Sequence, residues 1–225
     1  MALPHRKFWW LWLVAAVFLV LFVVMLVVAL TGTWPKCEGE DVTFSYEPSQ
    51  LLDFPMKETV NVSNFSAYGT RDWGAVGLFH EGTDLQVSAA TTVVSPVDGV
   101  VSKYQVKQNT FGTQNWLYGV RIQIDDVWSV EITFEPMFDP ADTVNHQAQL
   151  DNILVQEGDT LSRGQTVGTL LFSPGYCHIH YNLEQWDNKE RRLHCPYQYS
   201  TPEAQAIYNQ IQIASSTFPC CYGCP

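Results

Sequence analysis

The chain opens with a long apolar stretch, and the rest of it breaks into short apolar segments separated by turn residues. No charged side chain occurs between Phe8 and Pro35. Because about 20 apolar residues of helix are enough to cross the core of a bilayer, this pattern predicts a transmembrane helix over residues 8–31. A cleavable signal peptide, cut within residues 29–33, is the alternative.

The flanks of this stretch predict its orientation. Arg6 and Lys7 precede it, whereas Lys36 is soon followed by acidic residues. Positively charged flanks stay on the cytoplasmic side, so residues 1–7 are predicted to be cytoplasmic. The rest of a single-pass membrane protein would then lie outside the cytoplasm, in an extracellular, periplasmic or lumenal space.

Beyond residue 76, apolar and polar residues alternate in short runs, which is typical of β-strands. Strands are predicted within the segments 93–102, 118–124, 127–134, 153–171 and 178–183. The first of these is expected to form two strands around the Asp98-Gly99 turn. Thr201 as N-cap and Pro202 in the first turn predict one helix, over residues 202–213. The fold class is therefore mainly β, with antiparallel strands.

These patterns divide the chain into five segments. The predicted domains are a cytoplasmic N-terminus (1–7), the membrane helix (8–31), a stalk and edge segment (32–70), the β domain (71–190), and a C-terminal helix with a cysteine-rich tail (191–225). Residues 136–152 are rich in Pro, Asp and Asn, show little periodicity and are expected to form a surface insertion.

Charge and cysteine content narrow the classes of partner. The chain carries 23 acidic and 12 basic residues, for a net charge of -11. Binding to a nucleic-acid backbone needs a basic face, so no nucleic-acid partner is expected. All 6 cysteines follow the apolar stretch, and in an oxidising compartment they predict disulfides. A Cys177–Cys195 bridge is one of several possible pairings.

Two histidine motifs carry the candidate chemistry. The first spans residues 80–84 (HEGTD) and the second residues 178–180 (HIH). Histidines two apart on a strand share a face, and imidazole nitrogens together with a carboxylate oxygen suit Zn²⁺. The motifs provide three ligands and one spare histidine, as a zinc hydrolase needs.

The motifs and the hairpins between them resemble the lysostaphin/LytM-type zinc endopeptidases. Residues 80–85 (HEGTDL) are similar to that family's H-x-G-x-D, and residues 177–184 (CHIHYNLE) to its H-L-H-F-E strand. Residues 95–101 (SPVDGVV) and 155–168 (VQEGDTLSRGQTVG) are similar to its two intervening hairpins. The resemblance covers about half of the chain, residues 75–186.

The resemblance implies an antiparallel β-sandwich, the duplicated hybrid motif, with zinc in a groove. It implies His80, Asp84 and His180 as metal ligands and His178 as a catalytic residue. The implied substrate is a peptide or a peptidoglycan-like cross-bridge, and the oligomeric state is left open.

One position departs from the family pattern. Its second catalytic histidine lies in a Y-x-H-L strand, and by register Phe134 occupies the matching place here. Glu135 is a possible substitute acid or base, although it is expected on the opposite face from Phe134, and Glu131 and His146 are further candidates. The alternative function is a catalytically impaired, zinc-bearing or binding module that scaffolds or regulates a partner.

Overall fold

The structure is a computed structural model that describes residues 47–69, 79–110, 114–187 and 190–220. All of them belong to the unit Thr43–Cys224. In these ranges no helix is both long and apolar enough to cross a membrane. The predicted membrane helix, its orientation and residues 32–46 of the predicted stalk lie outside the described residues.

Strands dominate the described part of the chain. They are β1 (Val62–Ser66), β2 (Thr83–Val87), β3 (Thr91–Val94), β4 (Gly99–Gln108), β5 (Trp116–Gln123), β6 (Trp128–Glu135), β7 (Thr160–Leu161), β8 (Thr166–Leu170), β9 (His178–Asp187) and β10 (Glu190–His194). The helices are α1 (Thr143–Asp151) and α2 (Pro202–Ser215), with short 3-10 helices at Thr59–Asn61 and Pro196–Tyr199.

The strands form one large sheet and one small sheet. The large sheet has the order β1-β2-β9-β6-β5-β4-β7, with β10 paired to the far end of β9, and the small sheet pairs β3 with β8. Every pairing between these strands is antiparallel. The prediction of a mainly β, antiparallel fold is confirmed.

The Asp98-Gly99 turn joins two sheets and does not close a hairpin. Strands β3 and β4 flank it as predicted, but β3 pairs with β8, whereas β4 pairs with β5 and β7. A Cβ added to Gly99 would lie 2.4 Å from the carbonyl oxygen of Gln123. Glycine is therefore required here because the backbone of β5 passes close by.

The two faces of the large sheet differ in polarity. Cross-strand partners share a face, and Ile132, Phe134, Ile179 and Tyr181 alternate onto one face, where all four are fully buried. Strands β2 and β5 and the small sheet add apolar side chains to the same core. The other face of β2, β9 and β6 carries polar side chains, among them both histidines of the second motif.

Helix α2 follows the predicted pattern. Thr201 caps it by accepting a hydrogen bond from the amide of Ala204 at 3.2 Å. Ala204, Tyr208 and Ile211 form its buried face, which is the spacing expected of an amphipathic helix. It packs beside β1 and covers one edge of the core.

Helix α1 adds to the prediction for residues 136–152, because part of that segment is helical. Asp142 caps the helix through the amide of Asn145 at 3.0 Å. A polar residue, the fully buried Gln149, attaches the helix to the end of β8. Its side chain donates to the carbonyl of Thr169 and accepts from the amide of Leu171. Apolar periodicity therefore gave no sign of it.

The disulfide in the described residues joins Cys195 to Cys220. The suggested Cys177–Cys195 bridge is wrong, since Cys177 is a free, buried cysteine. Burial raises the pKa of its thiol to about 11, so this side chain behaves as a small core residue. The bridge ties the end of the described chain to the segment that follows β10.

Candidate metal centre

Neighbouring strands bring the two motifs together. Strands β2 and β9 pair directly, with Asp84 opposite His180 and Gln86 opposite His178. Directly opposed residues project to the same side of a sheet. His80 lies just before β2, so the H-x-x-x-D spacing returns its imidazole to the Asp84 side chain.

Three predicted residues converge on one point. The Oδ1 atom of Asp84 lies 3.0 Å from Nε2 of His80 and 2.9 Å from Nδ1 of His180. One ligand atom from each residue can be chosen so that all lie within 4.8 Å of one another. Asp84 and His80 are buried, with exposed fractions of 1% and 5%. This is the set that the resemblance of the motifs to the lysostaphin/LytM-type family implied.

The hydrogen bonds around His80 favour a cation at this point. Its Nδ1 lies 2.9 Å from the carbonyl oxygen of Ala67, and a carbonyl can only accept, so Nδ1 carries the proton. In the neutral imidazole, Nε2 then presents a lone pair to the Asp84 carboxylate. Two electron-rich atoms 3.0 Å apart need a proton or a metal ion between them. The backbone contact to the second ring nitrogen is the usual support of a metal-binding histidine.

The charge of Asp84 is stabilised despite its burial. Removal from water raises the pKa of its carboxyl, but the nearby His178 and the contacts with the His180 and His80 imidazoles outweigh that effect. The net result is a pKa well below the ordinary value for aspartate. Asp84 is therefore an ionised acceptor at neutral pH, which is the state a metal ligand requires.

Gly82 makes room for His180. A Cβ at position 82 would lie 2.6 Å from Nε2 of His180 and 2.9 Å from the carbonyl oxygen of Tyr181. Side chains cannot come so close without displacing these groups. The glycine of the first motif is thus required by the packing of the loop on the second motif.

His178 lies beside the ligand set and faces a carboxylate. Its Nδ1 donates to the carbonyl of Tyr176 at 2.7 Å, which leaves Nε2 as the basic nitrogen. Nε2 lies 3.5 Å from Oε2 of Glu135 and 3.6 Å from Oδ1 of Asp84. His178 therefore lies farther from Oδ1 of Asp84 than His80 and His180 do, and it is the histidine with a second carboxylate, Glu135, beside it.

The structure places Phe134 and Glu135 on the opposite faces of the sheet from those expected: Glu135, and not Phe134, lies on the same face as His178. Phe134 pairs with Ile179 on the core face and is fully buried, so it does not lie on the polar face that carries His178. Glu135 pairs with His178 and shares its face. The pleat explains the error, because a shift of one residue moves a side chain to the other side of a sheet.

The other two candidates lie elsewhere. The Nδ1 atom of His146 lies 2.7 Å from the hydroxyl of Tyr118, which opposes Phe134 and projects from the core face, so His146 does not lie on the polar face. Glu131 is paired with Arg121 at 2.7 Å. Neither side chain reaches His178 through a contact in the described residues.

Two features of this face escaped the sequence patterns. Tyr176 donates to Oδ2 of Asp84 at 2.9 Å, although it belongs to neither motif. Arg121 also contacts Glu184 at 2.8 Å, which makes a buried ion-pair group further along β9. The charged residues of β5, β6 and β9 could have predicted this ion-pair group only if the pairing of these strands had been known.

The chain is similar to known proteins in structure and not detectably in sequence. No protein-family model matches the chain, and no curated protein is significantly similar in sequence. A catalytic-domain mutant of the prophage-encoded M23 protein EnpA from Enterococcus faecalis is similar over 65% of this chain and 91% of its own, at 21% identity and a TM-score of 0.36.

A zinc-containing peptidase from Vibrio cholerae is similar over 64% of this chain, at 17% identity and a TM-score of 0.41. Lysostaphin is similar over 65%, at 17% identity and a TM-score of 0.40. The chain spans 39% and 52% of the lengths of these two proteins. The resemblance to lysostaphin-type peptidases that the motifs indicate is found among solved structures as well.

Proposed function

We propose that this chain is a zinc-dependent endopeptidase that cleaves peptide bonds outside the cytoplasm. The observation that supports it most is the convergence of His80, Asp84 and His180, whose ligand atoms lie within 4.8 Å of one another. His178 adjoins this set without belonging to it. Three protein ligands with a neighbouring acid or base are the usual parts of a catalytic zinc site.

The donor set fits zinc better than a hard cation. Nε2 of His80, Nδ1 of His180 and Oδ1 of Asp84 are two nitrogens and one oxygen, whereas calcium and magnesium prefer oxygens alone. The contacts of 2.9–3.0 Å between these atoms would lengthen slightly around an ion at about 2.0–2.2 Å from each ligand. The chemistry that zinc supplies when bound is Lewis acidity, which polarises a peptide carbonyl and activates water.

His178 and Glu135 would handle the proton. Nε2 of His178 accepts a proton from the attacking water as the water oxygen bonds to the peptide carbon. The resulting imidazolium lies beside the Glu135 carboxylate, 3.5 Å away, which stabilises its charge. The same nitrogen then gives the proton to the departing amine as the C–N bond breaks.

The substrate we propose is a peptide of the peptidoglycan cross-bridge type. The polar face of β2, β9 and β6 carries side chains that can form hydrogen bonds beside the candidate metal centre, among them Gln86 and Thr133. Two small residues, Thr133 and Gly119, lie opposite each other on β6 and β5 of this face, and Thr133 also faces His180. A flexible chain of small residues suits such a surface. An anchor formed by the segment 8–31 would keep the enzyme at the outer membrane surface, next to a cell wall where one exists.

The alternative is a zinc-bearing module without turnover. It is motivated by the nature of the partner of His178, which is the carboxylate Glu135 and not a second histidine. A carboxylate accepts hydrogen bonds but, when ionised, cannot donate one to a developing oxyanion. This alternative predicts zinc binding equal to that of an active enzyme, with no peptide cleavage.

Metal analysis combined with a peptidase assay tests the proposal. The full-length protein in detergent should bind one zinc ion per chain and cleave a glycine-containing cross-bridge peptide. The variant His180→Ala should lose both properties. His178→Ala should keep its zinc and lose at least about 100-fold in turnover, since general acid–base groups contribute about 10²–10⁴-fold.

His146→Ala is the matched control, because it removes an imidazole that contacts Tyr118 on the core face. It should change neither zinc content nor turnover. Equal loss of zinc in the His178 and His180 variants would refute the division of roles. Zinc binding by the wild type without cleavage would favour the alternative function.

A further inference from the structure

One side chain outside both motifs contacts a predicted ligand and the proposed base together. Tyr176 lies in the loop before β9, and its hydroxyl donates to Oδ2 of Asp84 at 2.9 Å. Its backbone carbonyl accepts from Nδ1 of His178 at 2.7 Å. Its ring packs edgewise on the same imidazole, with centroids 4.6 Å apart.

The phenol is itself held from strand β1. Its oxygen forms a hydrogen bond with the hydroxyl of Ser66, which pairs with Asp84 across β1 and β2. The amide of Gln86 donates to the same serine hydroxyl at 3.3 Å. A chain of polar contacts therefore fixes where the O–H of Tyr176 points.

The two oxygens of Asp84 consequently have different partners. Oδ1 is directed at His80 and His180, at 3.0 and 2.9 Å, whereas Oδ2 accepts from the phenol. A carboxylate held by one oxygen cannot turn about its terminal bond to present the other. Such outer contacts typically change metal affinity by about 10–100-fold.

We propose that Tyr176 is a positioning residue that fixes Asp84 for metal binding and orients His178 for proton transfer. This inference rests on the proposed function and adds a separate role for each part of one side chain. The hydroxyl governs metal affinity through Asp84. The ring governs turnover through His178, whose tautomer is set by the backbone carbonyl and not by the side chain.

Two substitutions separate these roles. Tyr176→Phe removes only the hydroxyl, and it should weaken zinc affinity about 10-fold or more while keeping most of the turnover at saturating zinc. Tyr176→Leu also removes the ring, and it should lower turnover at saturating zinc further and shift the pH profile of kcat. Tyr197→Phe is the control, because that hydroxyl contacts the exposed Asn209; it should change none of these quantities.

The experiment uses the full-length protein in detergent, with circular dichroism to verify folding. Zinc affinity is measured by competition with a chelator, and the visible absorption of the cobalt-substituted protein reports the ligand geometry without turnover. Ser66→Ala is a second, milder variant, and it should weaken zinc affinity in the same direction as Tyr176→Phe.

The possible results are distinguishable. Zinc affinities of Tyr176→Phe and Ser66→Ala within about twofold of the wild type would overturn the role of the hydroxyl. A Tyr176→Leu variant with the wild-type pH profile would overturn the role of the ring. Absence of zinc binding by the wild type would refute the proposed function itself, before any variant is compared.

Discussion

At the scale of single residues, Gly82 shows how little space the site leaves around His180. An alanine Cβ there would lie 2.6 Å from Nε2 of His180 and 2.9 Å from the carbonyl oxygen of Tyr181. Because the backbone of β9 cannot retreat without disturbing the sheet, the imidazole must move. We expect Gly82→Ala to weaken zinc affinity at least about 10-fold, measured by chelator competition.

Gly164→Ala separates this effect from simple loss of stability. Gly164 has a φ of +77° and nothing within 4 Å of an added Cβ. Alanine at such a φ should cost on the order of 1 kcal/mol of unfolding free energy and leave zinc affinity unchanged. Equal effects of the two substitutions on zinc would mean that Gly82 matters only for folding.

Glu135 tests whether a carboxylate supports the base. Glu135→Gln keeps the size of the side chain but removes the negative charge 3.5 Å from Nε2 of His178. The imidazolium then loses its stabilising partner, so kcat should fall about 10-fold or more while zinc content stays at the wild-type level. Glu190→Gln, on an exposed carboxylate at the start of β10, is the control. Unchanged kcat in the Glu135 variant would show that His178 acts without this partner.

At the scale of elements, the sequence was informative wherever one residue type determines the local geometry. The two histidine motifs, the glycine turns and the cap of α2 each depend on such residues, and the structure has them where they were expected. Alternation predicted most strands but not which strands pair. That is why the segment around Asp98 was expected to be a hairpin, although its strands belong to two sheets.

The face of a residue is harder to predict than its strand. Every residue of β6 from Trp128 to Phe134 is buried, so its hydrophobic pattern does not distinguish the core side from the groove side. The choice between Phe134 and Glu135 depended on a register that only the pairing with β9 defines. The contact of Tyr176 with Asp84 was equally inaccessible, because it joins residues 92 positions apart.

The disulfide fastens the C-terminal segment to Cys195, and Pro219 in that segment contacts the first motif. The carbonyl of Pro219, beside Cys220, accepts from the hydroxyl of Thr83 at 2.7 Å and from the amide of Tyr68 at 3.1 Å. Thr83 is buried and immediately precedes Asp84. The bridge to Cys195 thus supports one side of the candidate metal centre.

Removing this bridge should affect stability and metal binding together. The double variant Cys195→Ala/Cys220→Ala opens a loop of 25 residues, which should lower the free energy of unfolding by about 3 kcal/mol. Zinc affinity should also fall, because Thr83 loses a fixed partner. Chemical unfolding and chelator competition measure the two effects. Thr83→Val, which keeps the disulfide, should reproduce the loss of affinity with a smaller loss of stability; wild-type affinity in both variants would contradict the coupling.

At the scale of the whole molecule, the two faces of the large sheet have different roles: one packs in the apolar core and the other carries the candidate metal centre. Its core face is a continuous apolar layer shared with the small sheet and α2. Its polar face carries the candidate metal centre at one end of β9. Further along that strand, Arg121 and Arg191 both contact the fully buried Glu184, and Arg191 reaches Glu81 of the first motif at 2.6 Å. A buried carboxylate with two guanidinium partners is stable only as a complete group, so Arg121, Glu184 and Arg191 depend on one another, whereas the exposed pair of Arg191 with Glu81 contributes little.

The stability of the folded domain should depend on pH through a histidine outside the site. Burial, with a smaller effect from the charge of Arg192, lowers the pKa of His194 from 6.5 to about 4. Its ring lies against Trp128, with centroids 4.9 Å apart, and against Tyr199. Since the folded state binds its proton less readily than the unfolded state, His194 contributes fully above pH 6.5. The contribution is lost as the pH falls toward 4.

The difference between the wild type and His194→Gln isolates this effect, because glutamine does not titrate. The free energy of unfolding of the full-length protein can be measured in urea at pH 7.5 and at pH 5. Between these two pH values it should fall by about 1–2 kcal/mol more in the wild type than in His194→Gln. The control variant His146→Gln, in the partly exposed helix α1, should show the same loss of unfolding free energy as the wild type. Parallel pH dependences of the wild type and the His194 variant would show that this imidazole titrates alike in the folded and unfolded chain. In that case the acid sensitivity of the domain would come from its ionised carboxylates, and Asp84 is the most deeply buried carboxylate in the candidate metal centre.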